Sequence, residues 1–416
     1  MAEMLTQYAR CGDLGAIIPV GHGAAAALVR DGRLFAAPMD YEQECDAAQA
    51  APYNAQRDPF SLTGSPSLPQ GLNLGRQLDC LERWTGPWPD DLHILPWPQY
   101  WAWRLSGVMA TEVTSLGCHS DLWNPIPSTY SALARSRGWS QRLAPLRRAA
   151  EPLSILTPEW VSRTGLPKDC VVLCGLHDSN AALLAARGHP EIREHDATVL
   201  STGTWFVAMR SPTPGSSPDV SALDERRDCL INVDVDGRPI PSARFMGGRE
   251  AELIGKVDIH ALTTDYDPDR LIARLPALLA RGAAALPTFA RGVGPFPNAV
   301  GEWRNMPENP ADQRAIADLY LALMADACLN LIGSRDCLLI EGRFAEAVIF
   351  IRALAKLRPS QHAFISNAQD DVPYGALRLL DPSLPPNSPL TRIEPLAVDF
   401  SDYARQWREH AARSAA

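Results

Sequence analysis

Two short apolar runs near the middle of the chain each break off in a small polar cluster. Val171, Val172 and Leu173 are rich in β-branching, which predicts a buried strand. Gly175-Leu176-His177-Asp178-Ser179-Asn180 follows, and then a helical run from Ala181 to Arg187. After a charged connector, His189 to Asp196, a second strand is predicted from Thr198 to Met209, interrupted by Ser201-Thr202-Gly203-Thr204-Trp205. In an open α/β sheet, reactive groups collect where strands end and helices begin. Asp178 is therefore expected at a strand's carboxyl end, at the mouth of a cleft.

The flanking pattern extends this picture. Residues 4 to 11 read as the end of a helix and Gly15 to Val20 as a strand, broken at His22-Gly23. Ala24 to Val29 and Leu34 to Met39 flank Asp31-Gly32, a hairpin signal. Residues 43 to 70 are polar and irregular. Helices are predicted over Leu72 to Trp84 and Pro98 to Leu105, and residues 130 to 165 read as helical and basic. In the second half, Cys229 to Val235 and the segment from Pro239 form a hairpin about Asp236-Gly237, and Phe245 to Glu250 opens a helix. Ile316, Tyr320, Leu323, Ala327 and Leu331 line one face of a helix from Ala311 to Gly333. A strand from Cys337 to Ile340 ends at Glu341-Gly342-Arg343, followed by a helix from Phe344 to Leu357, a strand from His362 to Ile365 and a short helix opening at Gly375-Ala376. Strands alternating with helices predict an α/β fold.

Composition narrows the classes. The chain has 416 residues, 46% hydrophobic and 21% charged, enough for two or three globular domains. Its net charge of -9, with no basic stripe, argues against nucleic acid as a partner. No apolar run is long enough to span a bilayer, and the N-terminus lacks the pattern of a signal peptide. The 9 cysteines are scattered with no CxxC pair, which predicts a reduced, cytoplasmic protein. Cys118, His119 and Asp121 invite a metal reading, extended by His177 to a metal-dependent hydrolase. Their spacing matches no zinc pattern, so no metal ligand is assigned.

Asp178 alone reads equally as a helix N-cap. Thr202-Gly203-Thr204 changes the balance. Backbone N–H groups, two hydroxyls and a residue without Cβ are what a phosphate-cradling turn requires. A carboxylate and a phosphate cradle joined by a short connector point to phosphoryl transfer.

The ordered motifs resemble the FGGY carbohydrate kinases of the actin-like ATPase superfamily. Gly21-His22-Gly23 resembles the family's sugar-binding turn, and YWAWRLSG with TEVTSLGCHSDLWN its helix, turn and polar loop. CGLHDSNAA resembles the segment ending in the catalytic aspartate, STGTW the second phosphate motif, and EGRFAEA with YGAL the adenosine-side motifs. The resemblance implies a two-lobed, ribonuclease H-like α/β fold. Residues 1–188 would form the sugar-binding lobe and residues 189–416 the nucleotide-binding lobe. It implies ATP and Mg²⁺ as cofactors, a ketose or polyol as acceptor, and leaves room for a homodimer. Asp178 would be the general base, with His22, Gly23, Asp40, Gln99 and Asn180 toward the sugar. Thr202, Gly203, Thr204, Gly342, Arg343 and Gly375 would face the nucleotide.

Two departures qualify the match. The family's early DxGxT phosphate loop and its nearby lysine do not occur, so the first lobe is expected to be incomplete at its start, most simply through a start assigned too late. Without that loop the alternative is a sugar-binding pseudokinase. Arg343 stands where the family commonly has paired glycines, which would narrow the adenine pocket.

Overall fold

The computed structural model describes residues 1–12, 14–43, 48, 50–213, 215–255, 267–366 and 371–415. They fold into two compact units. Met1–Ala185, Leu230–Ile240 and Asp370–Leu384 form the first; Ala186–Cys229, Pro241–Gln369 and Pro385–Ala416 form the second.

In the first unit, Val171–Leu173 is the middle strand of three, parallel to Ala16–Ile17 and antiparallel to Pro152–Ile155. The chain then kinks at Gly175, where φ is +80° and a Cβ would stand 2.1 Å from the Pro19 carbonyl oxygen. Only glycine fits such a position. Beyond the kink, Leu176–His177 pairs in parallel with Val20–Gly21, setting His177 opposite Gly21. The apolar run thus ends at the predicted place, but as two short strands with a glycine joint between them.

The expected hairpin forms around Asp31 and Gly32, both at positive φ. Its second arm stops at Leu34 rather than Met39, and Ala26–Arg30 finds a further antiparallel partner in His93–Pro96. The helices Leu74–Thr85 and Trp97–Ser106 follow the predicted apolar spacing. The basic segment over 130–165 is not one helical stretch. It breaks into Ala132–Ser136, Trp139–Arg142, the strand Pro152–Ile155 and the helix Pro158–Thr164. Pro145, Pro152 and Pro158 remove amide donors and clash with a preceding turn, so a continuous helix cannot form.

Two distant stretches complete this unit. The Ile231 amide donates to the Gly64 carbonyl at 2.8 Å, and Gly117 lies where any Cβ would strike Val233. The helix Asp371–Leu377 lies against the helix Asp178–Ala186 so closely that a Cβ on Gly375 would be 1.7 Å from the Ala181 carbonyl oxygen. Gly375 therefore sits inside this helix, not at its start.

In the second unit, Ala197–Thr202 is parallel to Cys337–Gly342, which is parallel to His362–Ser366. Antiparallel strands flank this centre: Phe206–Ser211 and Pro239–Phe245 on one side, Leu390–Arg392 on the other. The helix Pro310–Leu331 carries the predicted stripe, but it is buried nearly all round rather than on one face. It packs against the helices Gly247–Gly255, Pro268–Ala280 and Val348–Leu357. Its buried acids are paired: Asp318 with Arg314 at 3.0 Å, and Asp326 with Arg358 at 2.8 Å and Arg408 at 3.0 Å.

Cys118, Cys170, Cys174, Cys229, Cys328 and Cys337 are buried free thiols, and Cys11 is an exposed one. Cys80 is disulfide-bonded, against the expectation of a wholly reduced set. Among the described residues, no helix is long and apolar enough to cross a membrane.

Candidate active site

Asp178 opens its helix at the end of the Leu176–His177 strand, as the pattern predicted. Its Oδ1 accepts from the next amide, Ser179, at 2.7 Å, so the side chain does not make the bond of an N-terminal cap to the second or third amide of the helix. The same oxygen lies 3.3 Å from His177 Nε2, and the carboxylate remains 43% exposed.

His177 is buried. Burial holds its pKa below the ordinary imidazole value, Asp178 opposes that shift, and His22 adds to it. The two ring nitrogens meet different neighbours. Asn180 Nδ2 lies 3.5 Å from Nδ1, and Cys118 Sγ lies 3.4 Å from Nε2. Gly23 packs against the same group: a Cβ there would meet Cys118 at 3.0 Å and His177 Cδ2 at 3.1 Å. His22 is edge-on to Tyr41, with ring centroids 5.4 Å apart, and its buried Nδ1 has no partner. Asn180 Oδ1 is likewise buried without a partner. The structure thus gathers His22, Gly23, Asp178 and Asn180 around His177.

Gln99 and Asp40 have local duties. Gln99 is fully buried, and its Nε2 donates to the carbonyls of Cys174 at 3.3 Å and Gly175 at 3.2 Å, bracing the glycine joint. Its Oε1 has no partner. Asp40 is exposed, and its Oδ1 accepts from the Glu42 amide at 2.8 Å. Asp121, from the metal reading, is spent on Tyr53 at 2.7 Å, Arg57 at 2.8 Å and Ser65 at 2.7 Å, while His119 Nδ1 lies 2.7 Å from the Leu72 carbonyl.

Glu112 was not singled out by sequence reasoning. It is fully buried and caps the helix Val113–Leu116, with Oε2 accepting from the Thr114 amide at 2.9 Å and the Ser115 amide at 3.3 Å. Burial raises its pKa to about 7 against those hydrogen bonds. The signal was present: an acid just before Val-Thr-Ser is a capping pattern.

The second unit holds the other cluster, at the carboxyl ends of the parallel strands Ala197–Thr202 and Cys337–Gly342. Thr202 is opposite Gly342 in register. Its hydroxyl donates to the Glu341 carbonyl at 2.6 Å and accepts from the Phe344 amide at 3.0 Å, so it pins the two strand ends together. Gly342 has φ +82°, and a Cβ there would be 2.3 Å from the Thr202 carbonyl oxygen. The Gly203 amide donates to the Trp205 carbonyl at 3.0 Å, closing a tight turn. Thr204 at its tip is exposed, with no hydrogen bond from its hydroxyl among the described residues. Arg343 is exposed beside Gly342. Gly247 and Gly248 were not assigned a role, yet Gly248 packs on the turn so closely that a Cβ would be 2.4 Å from the Gly203 carbonyl oxygen. Gly375 belongs to the first unit.

An α/β fold of this topology is that of the actin-like ATPases. A xylulose kinase from Rhodospirillum rubrum superposes with a TM-score of 0.75 at 18% identity, covering 99% of this chain and 86% of that one. A Plasmodium falciparum glycerol kinase, solved with ADP, gives 0.73 at 10% identity over 99% and 88%. A carbohydrate kinase from Novosphingobium aromaticivorans is far nearer, at 51% identity and a TM-score of 0.93, covering 99% of this chain and 89% of that one. Residues 194–388 match the C-terminal domain of the carbohydrate kinase FGGY family. No curated protein matches the chain. The chain belongs to the FGGY carbohydrate kinases.

Proposed function

We propose that this protein transfers the γ-phosphate of ATP to a hydroxyl of a ketose or polyol, with Asp178 as general base. The observation that carries the reading is the group around His177. A half-exposed carboxylate lies 3.3 Å from the His177 imidazole and accepts from a backbone amide, and His22 Nδ1 and Asn180 Oδ1, from residues near that same imidazole, are buried polar atoms without partners. Buried polar groups are nearly always hydrogen-bonded, so such a set suits a ligand bearing several hydroxyls. The first unit would hold the sugar and the second the nucleotide.

The substrate hydroxyl gives its proton to Asp178 as its oxygen forms a bond to the γ-phosphorus. The bond from that phosphorus to the bridging oxygen breaks, and ADP leaves. Asp178 must lie within hydrogen-bond reach of the hydroxyl, and its exposed oxygens allow that. His177 holds the carboxylate in place through Nε2. Thr204 offers its hydroxyl to phosphate, and the open Gly203 lets phosphate approach the turn. Thr202 acts indirectly, by fixing the turn. Arg343 borders the nucleotide beside Gly342. Mg²⁺ bound with the nucleotide would neutralise charge on the phosphates. A reaction drawing on ATP would suit the cytoplasm.

The test is calorimetric titration with a panel of ketoses and polyols, with and without ATP and Mg²⁺, beside an ADP-release assay. The reading expects one sugar class to bind and to release ADP stoichiometrically with its phosphorylation. Sugar binding with no nucleotide binding would instead establish the pseudokinase.

A further inference from the structure

We infer that Glu112 and Thr114 are positioning residues for the Asp178 carboxylate, a role that rests on the kinase reading above. The Thr114 hydroxyl is 2.5 Å from Glu112 Oε2 and donates to it. With its proton committed there, the Thr114 oxygen presents a lone pair, and the His177 amide donates to it at 2.9 Å. His177 is thereby held on both edges of its short strand, by register with Gly21 on one side and by Thr114 on the other. Its ring in turn touches Asp178 Oδ1 at 3.3 Å. The path from Glu112 to Asp178 therefore runs through two hydrogen bonds, one residue of backbone and one imidazole.

A plain helix cap does not account for this arrangement. The helix Val113–Leu116 is a single turn, and its two leading amides, Thr114 and Ser115, are already served by Oε2. The extra bond from the Thr114 hydroxyl adds nothing to the cap. It orients that hydroxyl toward a different strand. Oε1 has no partner, so either protonation state of Glu112 leaves Oε2 an acceptor and the hydroxyl orientation intact. The link spans 63 residues of sequence, which local capping does not require.

The decisive variants are Thr114→Val, which keeps the shape and removes the hydroxyl, and Thr114→Ser, which restores it. Two readouts are taken on each full-length protein. The ¹⁵N imidazole NMR spectrum of His177 does not depend on turnover: the wild type and T114S are expected to show one neutral Nε2–H tautomer, and T114V a mixture of tautomers. In the kinase assay, T114V is expected to lose roughly 100-fold in kcat, the scale of an ångström's misplacement at a reacting group, with KM for ATP unchanged. T114S should stay near wild type, and T114V should cause no further loss when combined with Asp178→Asn. An unchanged His177 spectrum in T114V overturns the positioning role. Equal losses from T114V with Asp178 present or absent also overturn it, since a merely structural defect acts alike in both. A wild type that shows the expected tautomer but phosphorylates nothing refutes the kinase reading and leaves the positioning contact standing.

Discussion

Asp178 and Glu112 are two carboxylic acids of the same unit in opposite surroundings, and that contrast separates their roles. Asp178 is open to solvent and within reach of an imidazole and an amide. Its replacement by asparagine keeps the shape and an oxygen for the Ser179 amide while removing the proton-accepting carboxylate. Sugar phosphorylation by D178N should fall roughly 100- to 10,000-fold with an unchanged melting temperature, measured by steady-state kinetics and calorimetry. Glu112 is fully buried, and its pKa rises from 4.5 to about 7. The folded chain therefore keeps a proton that the unfolded chain releases across that window. Below pH 4.5 the group contributes no difference; above about pH 7 its burial costs about 3 kcal/mol. His177 acts in the other direction, because its lowered pKa removes stability as pH falls below the ordinary imidazole value. The difference between wild type and Glu112→Gln isolates the glutamate. Urea unfolding at pH 5 and pH 8 should show E112Q gaining on wild type as pH rises. Asp178 was legible because helix-start chemistry is local in sequence. Glu112 was harder to read because its significance lies in the hydroxyl it orients, that of Thr114, whose partner His177 is far along the chain.

Elements meet here at glycines, and two closely packed ones make different predictions. Gly375 lets the helix Asp371–Leu377 lie on the backbone of the helix that Asp178 opens. Gly375→Val would force them apart, costing on the order of 3 kcal/mol, read as a lowered melting temperature. Gly342 combines a left-handed backbone with contact against Thr202. Gly342→Ala should therefore disturb the Thr202–Thr204 turn, raising KM for ATP more than KM for sugar. Helix and strand positions in the second unit were largely readable from apolar spacing. The burial of the Pro310–Leu331 helix was not, because a stripe of large residues marks its most apolar face, while Ala315, Ala317, Ala322 and Ala325 close the others by being small. The segment 130–165 misled for the opposite reason. Its composition favours helix, but its prolines and the pairing of Pro152–Ile155 with Val171–Leu173 decide the outcome.

At the scale of the molecule, the α/β class was legible, since alternating strands and helices are sequence-local features. The interleaving of the units was not. The first unit takes in Leu230–Ile240 and Asp370–Leu384, and no apolar period reports a partner so distant. A fragment comprising residues 1–188 lacks the residues that pack against Gly64, Gly117 and Ala181. Expressed alone, it should bind a hydrophobic dye and lose its near-ultraviolet dichroism, whereas two independent lobes would leave it native. The same interleaving sets a schedule on the ribosome. Asp178 is translated before half the chain exists, yet the helix that braces its own helix is encoded by residues 371–377. The first unit cannot finish folding until synthesis has passed that point, so the candidate base is among the early residues made and among the last to be locked in place.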